Sequence, residues 1–89
     1  MALTDSDESG TVVLSALRSI NIDAEHLTWD QLETMTLRDL GVTSLLLFDF
    51  VSALEERGGF AFEDDDVDLD KFQQPHKVRS MVSRYLSDR

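Results

Sequence analysis

Few residues of this chain could do chemistry. Ser44 is the most suggestive, set between the glycine of Leu40-Gly41-Val42-Thr43 and the apolar run Leu45-Leu46-Leu47-Phe48. A serine at the mouth of a helix most often serves as its N-cap, accepting a backbone N–H through its oxygen. A hydrolytic role does not fit, because the surroundings lack the G-x-S-x-G turn and a triad needs a positioned base. The two histidines, His26 and His76, are isolated in sequence and read as solvated or packing residues. There is no cysteine, hence no disulfide, thiolate metal site or protein thiol nucleophile. No acid, base, metal and nucleophile converge, so the chain reads as a non-enzyme with no catalytic residues.

The other suggestive stretch is Phe62-Glu63-Asp64-Asp65-Asp66-Val67-Asp68-Leu69-Asp70. Alternating aspartates invite a calcium reading, but an EF-hand loop needs glycine at position six and glutamate at position twelve. Counted from Asp64 those places hold Leu69 and Pro75; counted from Asp66 they hold Lys71 and Lys77. No dedicated metal site is expected. The run reads as a solvated acidic face with Val67 and Leu69 turned to the core.

Eighty-nine residues are enough for one domain with a modest core. The net charge of −10 is unevenly spread: residues 1–43 carry −6, residues 44–70 carry −8, and residues 71–89 reverse to +4. So acidic a middle repels phosphate backbones, which argues against nucleic acid and for partners with basic surfaces. The start, MALTDSDESG, is no secretory signal, and no apolar run approaches the roughly 20 residues that span a bilayer. A cytoplasmic monomer without membrane attachment is expected.

The elements that must position Ser44 follow from apolar spacing. Residues 1–8 read as a flexible acidic N-terminus and residues 9–89 as a single domain. A first helix starts near Ser6–Ser9, with Val13, Leu14, Leu17 and Ile20 at helical spacing, and ends at Asn21. The long connection 21–43 must be pinned by its own apolar residues, with Thr28 capping a short turn at Trp29-Asp30-Gln31-Leu32. The next helix runs from about Ser44 to Arg57 and stops at Gly58-Gly59. Phe60 and Phe62 share one side of a short extended piece that leads into an acidic turn or short helix. Pro75 opens a last helix, where Val78, Met81, Val82, Tyr85 and Leu86 form an amphipathic stripe and Arg84 and Arg89 suit its C-terminal dipole. The fold class is all-α: a small four-helix bundle of three main helices and a short third one. Its predicted core is Leu14, Leu17, Leu47, Val51, Leu54, Val78, Val82 and Tyr85, closed by Phe62 and Phe72.

A helical wheel places Leu47, Phe50, Val51 and Leu54 on one side of the Ser44 helix and Asp49, Ser52, Glu55 and Glu56 on the other. Leu45 and Phe48 fall among the polar residues, and Leu46 and Ala53 at the boundary. Either the 21–43 connection folds over Leu45 and Phe48, or they form an apolar patch rimmed by carboxylates that suits a protein partner.

The segment Leu37-Arg38-Asp39-Leu40-Gly41-Val42-Thr43-Ser44-Leu45 resembles the phosphopantetheine attachment motif of acyl and peptidyl carrier proteins. The likeness extends through the acidic helix Phe50-Val51-Ser52-Ala53-Leu54-Glu55-Glu56, the segment Phe60-Ala61-Phe62-Glu63 and the closing helix Val78 to Leu86. It implies a bundle of the acyl-carrier type, with a 4′-phosphopantetheine arm from coenzyme A attached to Ser44 by a phosphopantetheinyl transferase. The arm's thiol would carry acyl groups as thioesters, which reconciles a sulfur-based role with the lack of cysteine. The free N–H groups at a helix N-terminus suit the incoming phosphate.

The resemblance implies a docking surface of Thr43, Leu45, Leu46, Phe48, Asp49, Ser52, Glu55 and Glu56, facing an acyltransferase, a ketosynthase or an adenylating enzyme. One departure is Thr43, where many fatty-acid-type carriers have aspartate; it points to a broad-specificity transferase. With the apolar helix start, Leu46 and Phe48, it implies a specialised acyl carrier of polyketide or related natural-product biosynthesis, and the start methionine and short tail lead to the expectation that the carrier is free-standing. A peptidyl or aminoacyl carrier and an unmodified carrier-like interaction module are the alternatives.

Overall fold

The computed structural model describes residues 3–24, 26–67 and 72–88, with side chains from Glu8 onward. The chain forms α1 (Leu3–Ser19), a short α2 (Trp29–Glu33), α3 (Ser44–Gly58), a 3₁₀ turn at Asp64–Asp66, and α4 (Pro75–Asp88). All regular structure among the described residues is helical, as expected. None of these helices is long and apolar enough to cross a membrane. α1 packs against both α3 and α4, which touch one another less, and α2 lies against α4.

Each boundary has a local cause. α1 begins at Leu3, earlier than the Ser6–Ser9 start, since acidic residue types are well placed near the positive end of a helix. It ends as expected at Asn21, which takes a left-handed φ of 67°. The amides of Asn21 and Ile22 then close on the carbonyls of Arg18 and Leu17 at 3.0 and 2.9 Å. α2 starts at the predicted Thr28 cap, completed by Gln31: each residue's side chain accepts from the other's backbone N–H. At the end of α3 the two glycines do different work. Gly59 takes the left-handed conformation, φ 72°, that stops the helix. Gly58 is its last helical residue, and the Phe60 ring packs where a Cβ would stand.

The core joins Val12, Val13, Ala16 and Leu17 of α1 to Leu47, Phe50, Val51 and Leu54 of α3 and Val78, Met81 and Val82 of α4. Leu32, Leu37 and Val42 from the 21–43 connection, with Phe62 and Phe72, complete it. Leu14 and Tyr85, expected in the core, are only half-buried; α1 is rolled so that Val12 and Ala16 point inward instead.

The short α-helix lies within the 21–43 connection, while the acidic segment forms a single 3₁₀ turn among the described residues. Leu69, with Asp68 and Asp70, lies outside them. Val67, expected to face the core, is exposed. Arg84 serves Asp66 across a 3.0 Å ion pair rather than the α4 terminus, whose last turn has no basic residue; Arg89 lies outside the described residues.

Candidate functional site

The approach to Ser44 is a chain of local hydrogen bonds. Thr36 and Asp39 form a reciprocal box: the Asp39 amide donates to Thr36 Oγ1 at 3.1 Å, and the Thr36 amide donates to Asp39 Oδ2 at 3.0 Å. This opens one helical turn over 37–40. Gly41, with φ 100°, closes it, as its own amide and that of Val42 donate to the Arg38 and Leu37 carbonyls at 3.0 and 2.9 Å. The Leu37 amide donates to the Gln73 carbonyl at 2.7 Å, tying the turn to the segment that enters α4. Leu37 and Val42 bury their side chains, so the loop is held by both polar and apolar contacts.

This places Thr43, not Ser44, at the N-cap of α3. Thr43 has extended backbone (φ −80°, ψ 173°), and its hydroxyl accepts the Leu46 amide at 3.3 Å. Capping by threonine and by aspartate rests on the same side-chain oxygen, so Thr43 fills a position where aspartate would cap equally well. Ser44 becomes the first helical residue. It is exposed, and its hydroxyl has no hydrogen bond among the described residues. Its own amide and that of Leu45 have no acceptor one turn back within the helix, as in any first turn. A hydroxyl with no structural task beside such amides is open to a phosphoryl group, and the donor set fits a phosphate ester on Ser44.

Ser44 lines a small pocket with Leu37, Arg38, Val42, Thr43, Leu47, Phe72 and Gln73. Neither histidine lines it. His26 is exposed, and His76, whose Nδ1 is buried without a hydrogen-bond partner among the described residues, lines a different groove with Ser9 and Arg79. The Ser44 pocket is therefore lined by Thr43, Ser44 and Arg38 but by neither histidine.

The outer face of α3 is open. Leu45 is 83% exposed and Phe48 67%, so the 21–43 connection covers neither. Asp49, Ser52 and Glu56 are exposed around them, and Leu46 is half-buried at the edge. Leu46, Asp49, Ser52, Ala53 and Glu56 line one wall of a groove whose other wall is Ile20 and Asn21 at the end of α1. Glu55 departs from the predicted surface: its carboxylate accepts the Phe62 amide at 2.8 Å and pins the segment that follows α3.

The acidic run also has structural work. Tyr85 donates its hydroxyl hydrogen to Asp66 Oδ2 and accepts the Glu63 amide at 3.0 Å, while Arg84 reaches the same Asp66 oxygen. Asp66 is thereby spent on organising the loop.

Arg38 also lines the Ser44 pocket, a place not evident from the motif by itself. It stood inside the motif, and the Thr36-x-x-Asp39 spacing of a capping box was the available sign that residues 37–40 form a turn that fixes its place. A family model described as the phosphopantetheine attachment site matches residues 13–75 of the chain. Neither the curated proteins nor the solved structures contain a match.

Proposed function

The chain belongs to the phosphopantetheine attachment family, carriers of a covalent 4′-phosphopantetheine group, and from that membership we propose that Ser44 is the attachment residue of an acyl carrier. The observation that carries the proposal is the division of labour at the start of α3. Thr43 caps the helix, and the Ser44 hydroxyl is exposed with no hydrogen bond among the described residues. Loading forms a bond between Ser44 Oγ and phosphorus and breaks the pyrophosphate linkage of coenzyme A. The adenosine bisphosphate leaves, and the hydroxyl proton is released. The attached group supplies a thiol that holds acyl groups as thioesters. What the chain supplies is presentation: the arm brings cargo to successive enzymes at high effective concentration.

Partner enzymes dock on Thr43, Leu45, Leu46, Phe48, Asp49, Ser52 and Glu56. The two exposed apolar side chains give a contact centre, and the carboxylates give a rim that attracts basic surfaces. Those partners are a phosphopantetheinyl transferase of broad specificity, then an acyltransferase or ketosynthase, in polyketide or related biosynthesis. The apolar start of α3 and Thr43 in place of aspartate support that assignment over fatty-acid synthesis.

The test is intact mass after incubation with coenzyme A, Mg²⁺ and a broad-specificity transferase, with Ser44→Ala in parallel. A gain of one phosphopantetheine in the parent, absent in Ser44→Ala, is expected. No gain in a folded parent with several transferases, or an undiminished gain in Ser44→Ala, would overturn the assignment.

A further inference from the structure

We propose that Arg38 is the phosphate-positioning residue of this carrier: its guanidinium pairs with the phosphodiester on Ser44 and sets the direction in which the arm leaves the protein. The proposal rests on Ser44 being the attachment residue. It begins from charge. Residues 44–70 carry nine acids and one base, Arg57, yet the first turn of α3 has no acid at all. Into this acid-free spot the preceding loop brings one cation, Arg38, which lines the same pocket as Thr43 and Ser44.

Its backbone is held on both sides. The Arg38 carbonyl receives the Gly41 amide at 3.0 Å, and the neighbouring Leu37 amide is anchored to Gln73 at 2.7 Å. The guanidinium itself is exposed and has no ion pair or hydrogen bond among the described residues. The adjacent Asp39 turns one oxygen to the Thr36 amide and makes no ion pair with Arg38 among the described residues. A planar guanidinium can meet a phosphate through two parallel N–H bonds, which fixes orientation as well as proximity. The pocket's apolar wall is filled by Leu37, Val42, Leu47 and Phe72, all buried in the core, so an arm held at its phosphate lies along the surface of this wall.

The experiment compares the arginine side-chain Nε–H resonances of the apo protein and the fully loaded protein by ¹⁵N NMR, with ³¹P NMR of the phosphodiester. Intact mass first establishes loading, so failure at that step speaks against Ser44 and not against Arg38. On loading, the Arg38 resonance is expected to shift while those of Arg18 and Arg57 stay in place, since these line separate grooves. Arg38→Gln, loaded to completion, should move the ³¹P signal towards that of free phosphopantetheine, and Arg38→Lys should restore part of the difference. Added salt should shrink the difference as well, because an exposed pair is screened. An Arg38 resonance unmoved by full loading, or a ³¹P signal indifferent to Arg38→Gln, would overturn the proposal. A variant that loses only partner turnover, with both signals unchanged, would overturn it too and make Arg38 a protein-docking residue.

Discussion

The two ends of α3 are treated in opposite ways. At its C-terminal end several groups hold the segment that follows. Gly59 turns the chain, the Phe60 ring lies against Gly58, Glu55 holds the Phe62 amide, and Tyr85 ties Asp66 and Glu63 to α4. At its N-terminal end the cap is satisfied and little else is. Among the described residues neither the Ser44 hydroxyl nor Arg38 has a partner, and Leu45 and Phe48 stand largely in water. One end builds the fold and the other is held open by it. On the proposed reading, the end whose groups are left unused is the end that partners and the arm would occupy.

The largest break in the comparison is expected at the closed end. A Cβ on Gly58 would stand 2.1 Å from Phe60 Cε2 and 2.6 Å from Cδ2. The ring cannot simply swing away, because it packs edge-on against Phe62 at 4.9 Å and stacks on Tyr85 at 5.2 Å. Gly58→Ala gains a little helix propensity but should cost about 1–3 kcal/mol from overpacking and displaced aromatics. Chemical denaturation measures it. A variant as stable as the parent would mean that Phe60 is loosely held and the closed end is not closed.

Tyr85→Phe comes next. It removes a hydroxyl that both donates and accepts, and one partner is a carboxylate, so a loss of about 1–2 kcal/mol is expected. The pH dependence sharpens the point. Partial burial first, and the hydrogen bond to Asp66 second, hold the Tyr85 hydroxyl above its usual pKa of 10.0. The fold therefore keeps this proton when the unfolded chain has lost it. The stabilisation is fully present below pH 10 and disappears as pH rises through the raised folded value. Comparing alkaline unfolding of the parent and Tyr85→Phe should show that component only in the parent. The Arg84–Asp66 pair, 60% exposed on the arginine side, adds little.

At the open end the cap sets the scale. Thr43→Ala should cost about 1 kcal/mol, and Thr43→Asp should recover it, because either oxygen can accept the Leu46 amide. Thermal melts of the three proteins decide this. Equal stability of all three would show that the bond at the mouth of α3 contributes nothing.

Much of this architecture was legible in the sequence because periodicity reports which face is buried. Leu47, Phe50, Val51 and Leu54 are buried as a stripe, and Val78, Met81 and Val82 likewise. The outlying Leu45 and Phe48 were visible on the same wheel. What stayed hidden depends on contacts between distant residues. The roll of α1 that favours Val12 and Ala16 over Leu14 is set by packing on α3 and α4 together. Glu55 looked like a surface acid until the Phe62 amide came to it from seven residues away. At the site, the motif singles out Ser44, but whether Ser44 or Thr43 caps the helix turns on one residue of phase. The 37–40 turn sets that phase through Thr36, Asp39 and Gly41.

The smallest expected effect on stability, and the most informative, is at Leu45 and Phe48. Since they are mostly in water, Leu45→Ser and Phe48→Ser remove little buried area and should alter stability by no more than about 0.5 kcal/mol. Leu54→Ala on the opposite face of α3, fully buried, should cost about 2–5 kcal/mol and serves as the reference. The two serine variants should still be loaded by a transferase at saturating concentration, while KM for a partner enzyme rises. The distinction is physical. Burying such side chains against a partner is worth roughly 1.5–3 kcal/mol each, so their removal is felt only where the partner covers them. If denaturation finds Phe48→Ser as damaging as Leu54→Ala, the side chain is part of the fold. If it leaves both stability and KM unchanged, the docking surface lies elsewhere on the acidic face.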